Sequence, residues 1–235
     1  MSRRRTGIGK APSLPFLEAV DAHPRERAVA HMAASLLLEY PTQELRDRHA
    51  LLRDATGILS DPVAAAFARY LDAADALDLD AQQAHYVETF DLRRRCALYL
   101  TYYAAGDTRR RGMALVTFVE AYRACGWVPR DDELPDYLPT VLELSSREQS
   151  HEQSAVADTL LGSHRAGIEL LRSALHHVQT PYAEVLDAVC LTLPAVDEAT
   201  AARFAELVSS GPPSETVGLS APLLPFPTVR SEVPA

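Results

Sequence analysis

Proline placement constrains this chain before any other feature. None occurs between Val63 and Val128, whereas Pro212, Pro213, Pro222, Pro225, Pro227 and Pro234 crowd the last 24 residues. Proline has no amide proton to give to a helix or a strand ladder, so the tail excludes regular structure and the long proline-free centre permits helices. The spacing divides the chain into a flexible, disordered arm (1–23, with Pro12 and Pro15 among Gly, Ser and Arg), one folded domain (24–210) and a Pro-rich tail (211–235). Alanine, the best helix former, far outnumbers the 10 glycines.

The centre reads as about nine helices. Pro24 can open the first, which stops at Tyr40-Pro41. Thr42 caps a second that ends near Gly57, and Ser60-Asp61-Pro62 starts a third that ends near Leu77. A short fourth covers Asp80 to Phe90. The fifth runs from Thr108 to Ala124, and Met113, Leu115, Val116, Phe118, Val119 and Tyr122 leave it only a narrow polar stripe, the pattern of a helix central to a bundle. Past a Pro-rich turn at 129–139, a stripe from Val156 to Val178 recurs every three or four residues, as two helices or one kinked at Gly162 and Gly167. Thr180-Pro181 and Asp197 start the last two. No stretch alternates as a strand does, so the expected fold is all-α, a single globular helical bundle.

Composition excludes several functions. The net charge is −9 and Lys10 is the sole lysine, a poor balance for a general binder of nucleic acid or anionic membrane. No apolar run approaches the roughly 20 residues of a membrane span, and no apolar segment follows Arg3-Arg4-Arg5 as in a secretory signal. Cys96, Cys125 and Cys190 are widely spaced and form no CxxC, which suits a reducing cytoplasm. There is no phosphate-binding GxxxxGK[ST], no GxSxG and no HExxH. His176 and His177 point about 100° apart on a helix and cannot share an inward-facing metal. Neither a catalytic centre nor a metal or other cofactor is expected.

Charge segregation is the positive signal. Six Arg and one acid, Asp107, lie between Arg93 and Arg111, whereas eight acids and one Arg, Arg147, lie between Asp131 and Asp158. These are either two solvated faces or an acidic lip that attracts a basic peptide. Beside them stand Tyr86 and Phe90, four apart, then Tyr99, Tyr102 and Tyr103. Such a stripe is either core or an apolar groove, and a groove with an acidic rim is what receives a basic amphipathic helix.

The segments Tyr86-Val87-Glu88-Thr89-Phe90-Asp91-Leu92, Cys96-Ala97-Leu98-Tyr99-Leu100-Thr101-Tyr102 and Gly106-Asp107-Thr108-Arg109-Arg110-Arg111-Gly112 resemble the central block of the NarJ-type chaperones. The likeness continues through Asp132-Glu133-Leu134-Pro135-Asp136-Tyr137-Leu138-Pro139, the stretch from His164 to Leu171, and Thr180-Pro181-Tyr182, with Leu36-Leu37-Leu38-Glu39-Tyr40-Pro41 upstream. It covers about 28 to 195. The resemblance implies an all-helical, cytoplasmic, non-catalytic protein that assists assembly of respiratory nitrate reductase. Its partner would be the apo catalytic subunit, including an N-terminal peptide like a remnant twin-arginine leader. The subunit would be kept competent for molybdenum cofactor insertion and for docking to the membrane subunit, and the chaperone would stay out of the finished enzyme, without stable membrane association or nucleic acid.

Client-peptide contacts implied by these motifs and the aromatic face are Tyr86, Phe90, Asp91, Tyr99, Tyr103, Asp107, Arg109, Leu134, Pro135, Asp136, Tyr137 and Leu138. Gly106 and Asp107 equally suit a turn capping the Thr108 helix. Asp136, as a loop acid, is expected to support little core. Related chaperones commonly carry Asp-His where this chain has Asp136-Tyr137, and Tyr does not titrate near neutrality. Other readings are a chaperone for a dimethyl sulfoxide or trimethylamine oxide reductase, a helical metalloenzyme using Glu88, Asp91 and Asp107, and a nucleic-acid binder using the Arg93–Arg111 cluster.

Overall fold

The computed structural model describes residues 15–104, 108–128, 133–147 and 151–210. Twelve α-helices are present among them: α1 (Pro24–Leu37), α2 (Gln43–Asp47), α3 (His49–Thr56), α4 (Asp61–Asp75), α5 (Leu79–Tyr86), α6 (Leu100–Ala104), α7 (Thr108–Ala124), α8 (Leu138–Ser146), α9 (His151–Ser163), α10 (Arg165–His177), α11 (Tyr182–Thr192) and α12 (Glu198–Ser210). A π-helical turn (Val87–Asp91) and a 3-10 turn (Arg94–Cys96) join α5 to α6. Among the described residues, extended backbone pairs only at an isolated antiparallel bridge between Tyr99 and Tyr137. The class is all-α, as the sequence predicts.

The helix number exceeds nine for local reasons. The segment expected as one helix after Thr42 divides at Arg48, because His49 Nδ1 lies 2.6 Å from Asp75 Oδ1 and holds α3 against α4. The Val156–Val178 stripe is two helices, broken at His164. Helix α6, five residues long, escapes a periodicity argument. Helix α8 starts inside the expected Pro-rich turn, with Pro139 in its first turn, where a missing amide proton costs nothing.

The core forms where α1 packs on α8 and α11, α11 on α4 and α10, and α10 on α12. Helix α11 is the central one, with Tyr182, Ala183, Val185, Leu186 and every residue from Ala188 to Thr192 buried. The expectation that the Thr108–Ala124 helix is central is corrected. Helix α7 packs chiefly on α6 and α9, burying Phe118 and Tyr122 while leaving Met113 and Val116 exposed, because one stripe is all its neighbours cover.

Polar groups in the interior are mostly paired, as burial demands. His31 lies between Ser145 Oγ (2.8 Å) and Thr192 Oγ1 (3.2 Å), and burial lowers its pKa to about 3. Buried Glu169 meets Arg165 (2.8 Å) and Arg172 (3.1 Å), and Arg172 continues to Asp187 and on to His176. Residues 15–23, the described part of the expected arm, form no helix or strand and are tied to α10 and α11. Arg172 Nη1 donates to the Pro15 carbonyl (3.2 Å), and the Val20 amide donates to the Leu191 carbonyl (2.9 Å).

Candidate peptide-binding site

The chain segments named by the sequence converge at one end of α5. Tyr86 and Phe90, four residues apart across the end of α5 and the π turn, lie on the same side with ring centroids 4.8 Å apart. Both rings meet Tyr182 of α11, at 5.9 and 4.8 Å. The Tyr86 hydroxyl is 3.2 Å from the Leu38 carbonyl and 3.2 Å from the Tyr137 hydroxyl. Tyr137 stacks at a tilt on Tyr99 (5.5 Å), and the Tyr99 hydroxyl donates to Glu133 Oε1 (3.0 Å).

The loop that carries Tyr137 is clamped through backbone. Leu138 N–H donates to the Leu98 carbonyl (2.8 Å), and Leu100 N–H donates to the Asp136 carbonyl (3.0 Å). The Tyr122 hydroxyl donates to the Pro135 carbonyl. Asp136 Oδ2 accepts from the Thr101 amide (3.0 Å) and the Thr101 hydroxyl (2.6 Å), which makes it the cap of α6. The Asp136 side chain is 0 % exposed, and its Oδ1 has no hydrogen-bond partner among the described residues. The reading of Asp136 as a loop acid supporting little core is therefore corrected: a carboxylate one strand-bridge away from Tyr99 is what the short α6 needs at its start.

The expected contact residues separate into two layers. Tyr86, Phe90, Tyr137 and Leu138 are buried and form a floor, and Pro135 is half-buried beside them. Asp91 and Leu134 are exposed and Tyr99 is half-buried, so these carry the accessible surface. Tyr103 is not part of the cluster: its hydroxyl donates to the Ala97 carbonyl (2.8 Å), and its ring lies against Gly167 of α10, where an added Cβ would come within 3.0 Å. Asp107 with Gly106 lies outside the described residues, as does the side chain of Arg109.

Sequence reasoning missed three residues of the patch. Tyr40 is 45 % exposed with its ring 5.4 Å from Tyr86, and Leu92 is 72 % exposed just past the π turn. Glu39 is the third, and its charge acts on Tyr86 and Tyr137 alike. All three stood inside matched motifs, at the ends of Leu36–Pro41 and Tyr86–Leu92, which was the available signal.

The phenols report the electrostatics of this surface. Burial is the main cause that raises the pKa of Tyr86, Tyr99 (to about 12) and Tyr137. Carboxylates raise them further: Glu39 acts on Tyr86 and Tyr137, Asp91 on Tyr86 and Tyr99, and Glu133 on Tyr99 and Tyr137. Three acids from three separate segments thus act on one aromatic cluster. The block from Asp131 to Asp158 contributes less than its sequence suggests. Glu143 pairs with Arg147, Asp158 with Arg27, and Asp136 is buried, while Asp131 and Asp132 lie outside the described residues. In the basic block, Arg93 pairs with Glu88.

Among the described residues, no group of three or more His, Cys, Asp or Glu is placed to hold a metal ion, and no helix is long and apolar enough to cross a membrane. Burial pushes the thiol of Cys96 up to about 11, so it is a poor nucleophile where it sits.

Fold and patch together define an all-α protein with an acid-rimmed aromatic surface on a clamped loop. The chain belongs to the family described as "Nitrate reductase delta subunit", whose model matches residues 58–188. It is 30 % identical over 172 residues to the "Probable nitrate reductase molybdenum cofactor assembly chaperone NarJ" of Bacillus subtilis, covering 72 % of this chain and 90 % of that protein. It is 34 % identical over 122 residues to the "Nitrate reductase molybdenum cofactor assembly chaperone NarJ" of Escherichia coli (strain K12), covering 52 % and 48 %. It is also 37 % identical over 165 residues to the "Nitrate reductase-like protein NarX" of Mycobacterium tuberculosis, covering 70 % of this chain but only 24 % of that protein. The chain therefore spans about a quarter of the mycobacterial relative.

Proposed function

We propose that this chain is an assembly chaperone for a nitrate reductase, acting in the cytoplasm without catalysis or a cofactor of its own. Its client is the apo catalytic subunit, held competent for molybdenum cofactor insertion and membrane docking and then released. The N-terminal peptide of that subunit binds at the acid-rimmed patch. Tyr40, Leu92, Tyr99 and Leu134 take its apolar face, and Glu39, Asp91 and Glu133 attract its Arg or Lys. Tyr86, Phe90, Asp136, Tyr137 and Leu138 act beneath as the frame that fixes the patch. Residues 24–210 serve as the chaperone domain, flanked by the arm 1–23 and the tail 211–235.

The observation that supports this reading best is the convergence of three carboxylates from separate segments on one partly open aromatic cluster. The negative field these carboxylates place on the phenols favours a cationic group at the cluster. The test is calorimetric titration of the purified chain with the N-terminal peptide of the nitrate reductase catalytic subunit from the same organism, at two salt concentrations. Binding that weakens with salt yet survives fits an apolar patch with an acidic rim. Absence of binding by folded protein would move the client contact elsewhere, and tighter binding to the leader of another molybdoenzyme would reassign the client.

A further inference from the structure

The segment 15–23 crosses the helices in a defined direction. The Val20 amide donates to the Leu191 carbonyl near the end of α11, and Arg172 Nη1 donates to the Pro15 carbonyl. The same guanidinium donates through Nε to Asp187 Oδ1 (2.5 Å), so Pro15 lies near the level of Asp187, one helical turn before Leu191. Followed backwards from Val20, the segment therefore heads along α11 towards its N-terminal end, with Leu17 and Val20 packed against the core. Tyr182 opens that end and meets the Tyr86 and Phe90 rings beneath the acid-rimmed patch, at 5.9 and 4.8 Å. The rise from Asp187 to Tyr182 is only about 7 Å.

What precedes Pro15 in sequence is basic. Residues 1–14 lie outside the described residues; they contain Arg3, Arg4, Arg5 and Lys10 and no acid, in a chain of net charge −9 whose first carboxylate is Glu18. Arg5 is ten residues from Pro15, a span of at most roughly 35 Å, several times the rise to Tyr182. The patch is the complement of this segment. Tyr40, Leu92 and Leu134 are exposed there. Asp91 and Glu133 enter no ion pair among the described residues, whereas Glu88, Glu143 and Asp158 are each matched by an arginine.

We propose that residues 3–10 of this chain occupy the acid-rimmed patch in the free protein and that a client peptide binds by displacing them. The inference rests on the reading of that patch as the client site and adds its regulation. Arg3, Arg4 and Arg5 meet the rim carboxylates as the client's cations do. Gly7 and Gly9 disfavour a helix, and Ile8 between them offers a single large apolar side chain, so the segment is a weaker occupant than an amphipathic helix. Tethering gives it an effective concentration of about 1 mM. With an intrinsic Kd of about 0.1 mM it fills the patch in about nine molecules of ten and lowers a competitor's apparent affinity about tenfold. Basic segments without a larger apolar face gain nothing over the tethered one and are turned away.

The test titrates three full-length proteins with the N-terminal peptide of the nitrate reductase catalytic subunit by calorimetry. They are wild type, the arm variant Arg3→Gln/Arg4→Gln/Arg5→Gln, and a control of equal net charge, Arg25→Gln/Arg123→Gln/Arg203→Gln, made at exposed arginines. The arm variant is expected to bind about tenfold more tightly than wild type, and the control within about twofold of it. Equal binding by wild type and the arm variant, or equal tightening in the control, would refute the arm as competitor while leaving the patch as the client site. A fluorescent peptide of residues 1–14 is titrated separately into the arm variant. It is expected to bind with a Kd of about 0.1 mM, and several-fold more weakly once Asp91→Asn is added. No binding of this peptide up to about 1 mM, or binding indifferent to Asp91→Asn, would also overturn the inference. If the 1–14 peptide binds as expected and the client peptide binds none of the three proteins, the arm keeps the patch and the client reading falls instead.

Discussion

Asp136 is the residue for which the structure changes the expectation most, and Asp136→Ala measures the change. The substitution removes two hydrogen bonds, from the amide and the hydroxyl of Thr101, itself fully buried. Loss of a helix cap costs about 1 kcal/mol, and a buried hydroxyl left without its acceptor costs about 1–3 kcal/mol. Removing a buried carboxylate whose Oδ1 has no partner among the described residues returns part of that. The net destabilisation is about 2 kcal/mol, equivalent to roughly 4–8 °C in Tm for a domain of this size. Asp136→Asn keeps one acceptor for Thr101 and should lose less than half as much. Urea unfolding followed by circular dichroism gives both values directly. An Asp136→Ala variant within about 0.5 kcal/mol of wild type, or an Asn variant as unstable as the Ala one, would refute the assignment of Asp136 as the α6 cap. Peptide binding by this variant must be measured well below its lowered Tm, so that loss of the loop is not counted as loss of a contact.

Phe90→Ala should cost about 3–5 kcal/mol, because Phe90 is 8 % exposed and wedged between Tyr86 and Tyr182; a loss under 1 kcal/mol in urea titration would place it in an open groove instead. Leu92→Ser and Leu134→Ser should each leave Tm within about 2 °C of wild type and weaken the client peptide several-fold by calorimetry, since Leu92 is 72 % and Leu134 41 % exposed in the free protein and neither belongs to the buried core. Stability should fall as pH drops from 7 towards 5, by about 2 kcal/mol from His31 alone. Its folded pKa of about 3 lies below the unfolded value, so the unfolded chain binds the extra proton throughout that window. A His31→Gln variant with the same pH slope as wild type would remove His31 as its source.

How much of this was legible in the sequence depends on the range of the interactions concerned. Helices with their own start signals, such as Pro24, Asp61-Pro62 and Asp197, were readable because cap and helix are neighbours in sequence. Helix α6 was not, because its cap comes from Asp136, in a different segment and brought close only by the Tyr99–Tyr137 bridge. Helix α7 misled for the opposite reason: its apolar girth is a local property, whereas its burial depends on how many neighbours reach it. The expected contact residues followed the same rule. Motifs located Tyr86, Tyr99 and Leu134, but only the folded chain shows which of these lie under the surface and which on it, and that Tyr40 completes the patch.

The Tyr137 position shows why those two layers have to be distinguished. A histidine in its place would titrate near neutrality, whereas Tyr137 has its phenol pushed still further from that range by burial and by the negative field of its neighbours. Its hydroxyl is committed to Tyr86, whose own hydroxyl reaches the carbonyl that follows α1, so the pair ties the loop to α5 and to the end of α1. That tie brings Tyr40, whose ring meets Tyr86, and Glu39, which follow α1, to the same tyrosine pair on which Glu133 of the loop acts. A patch assembled from three distant segments keeps its shape only if something uncharged and short connects them underneath. The two tyrosines do this at any pH near neutrality, which leaves the charge of the rim to the carboxylates alone.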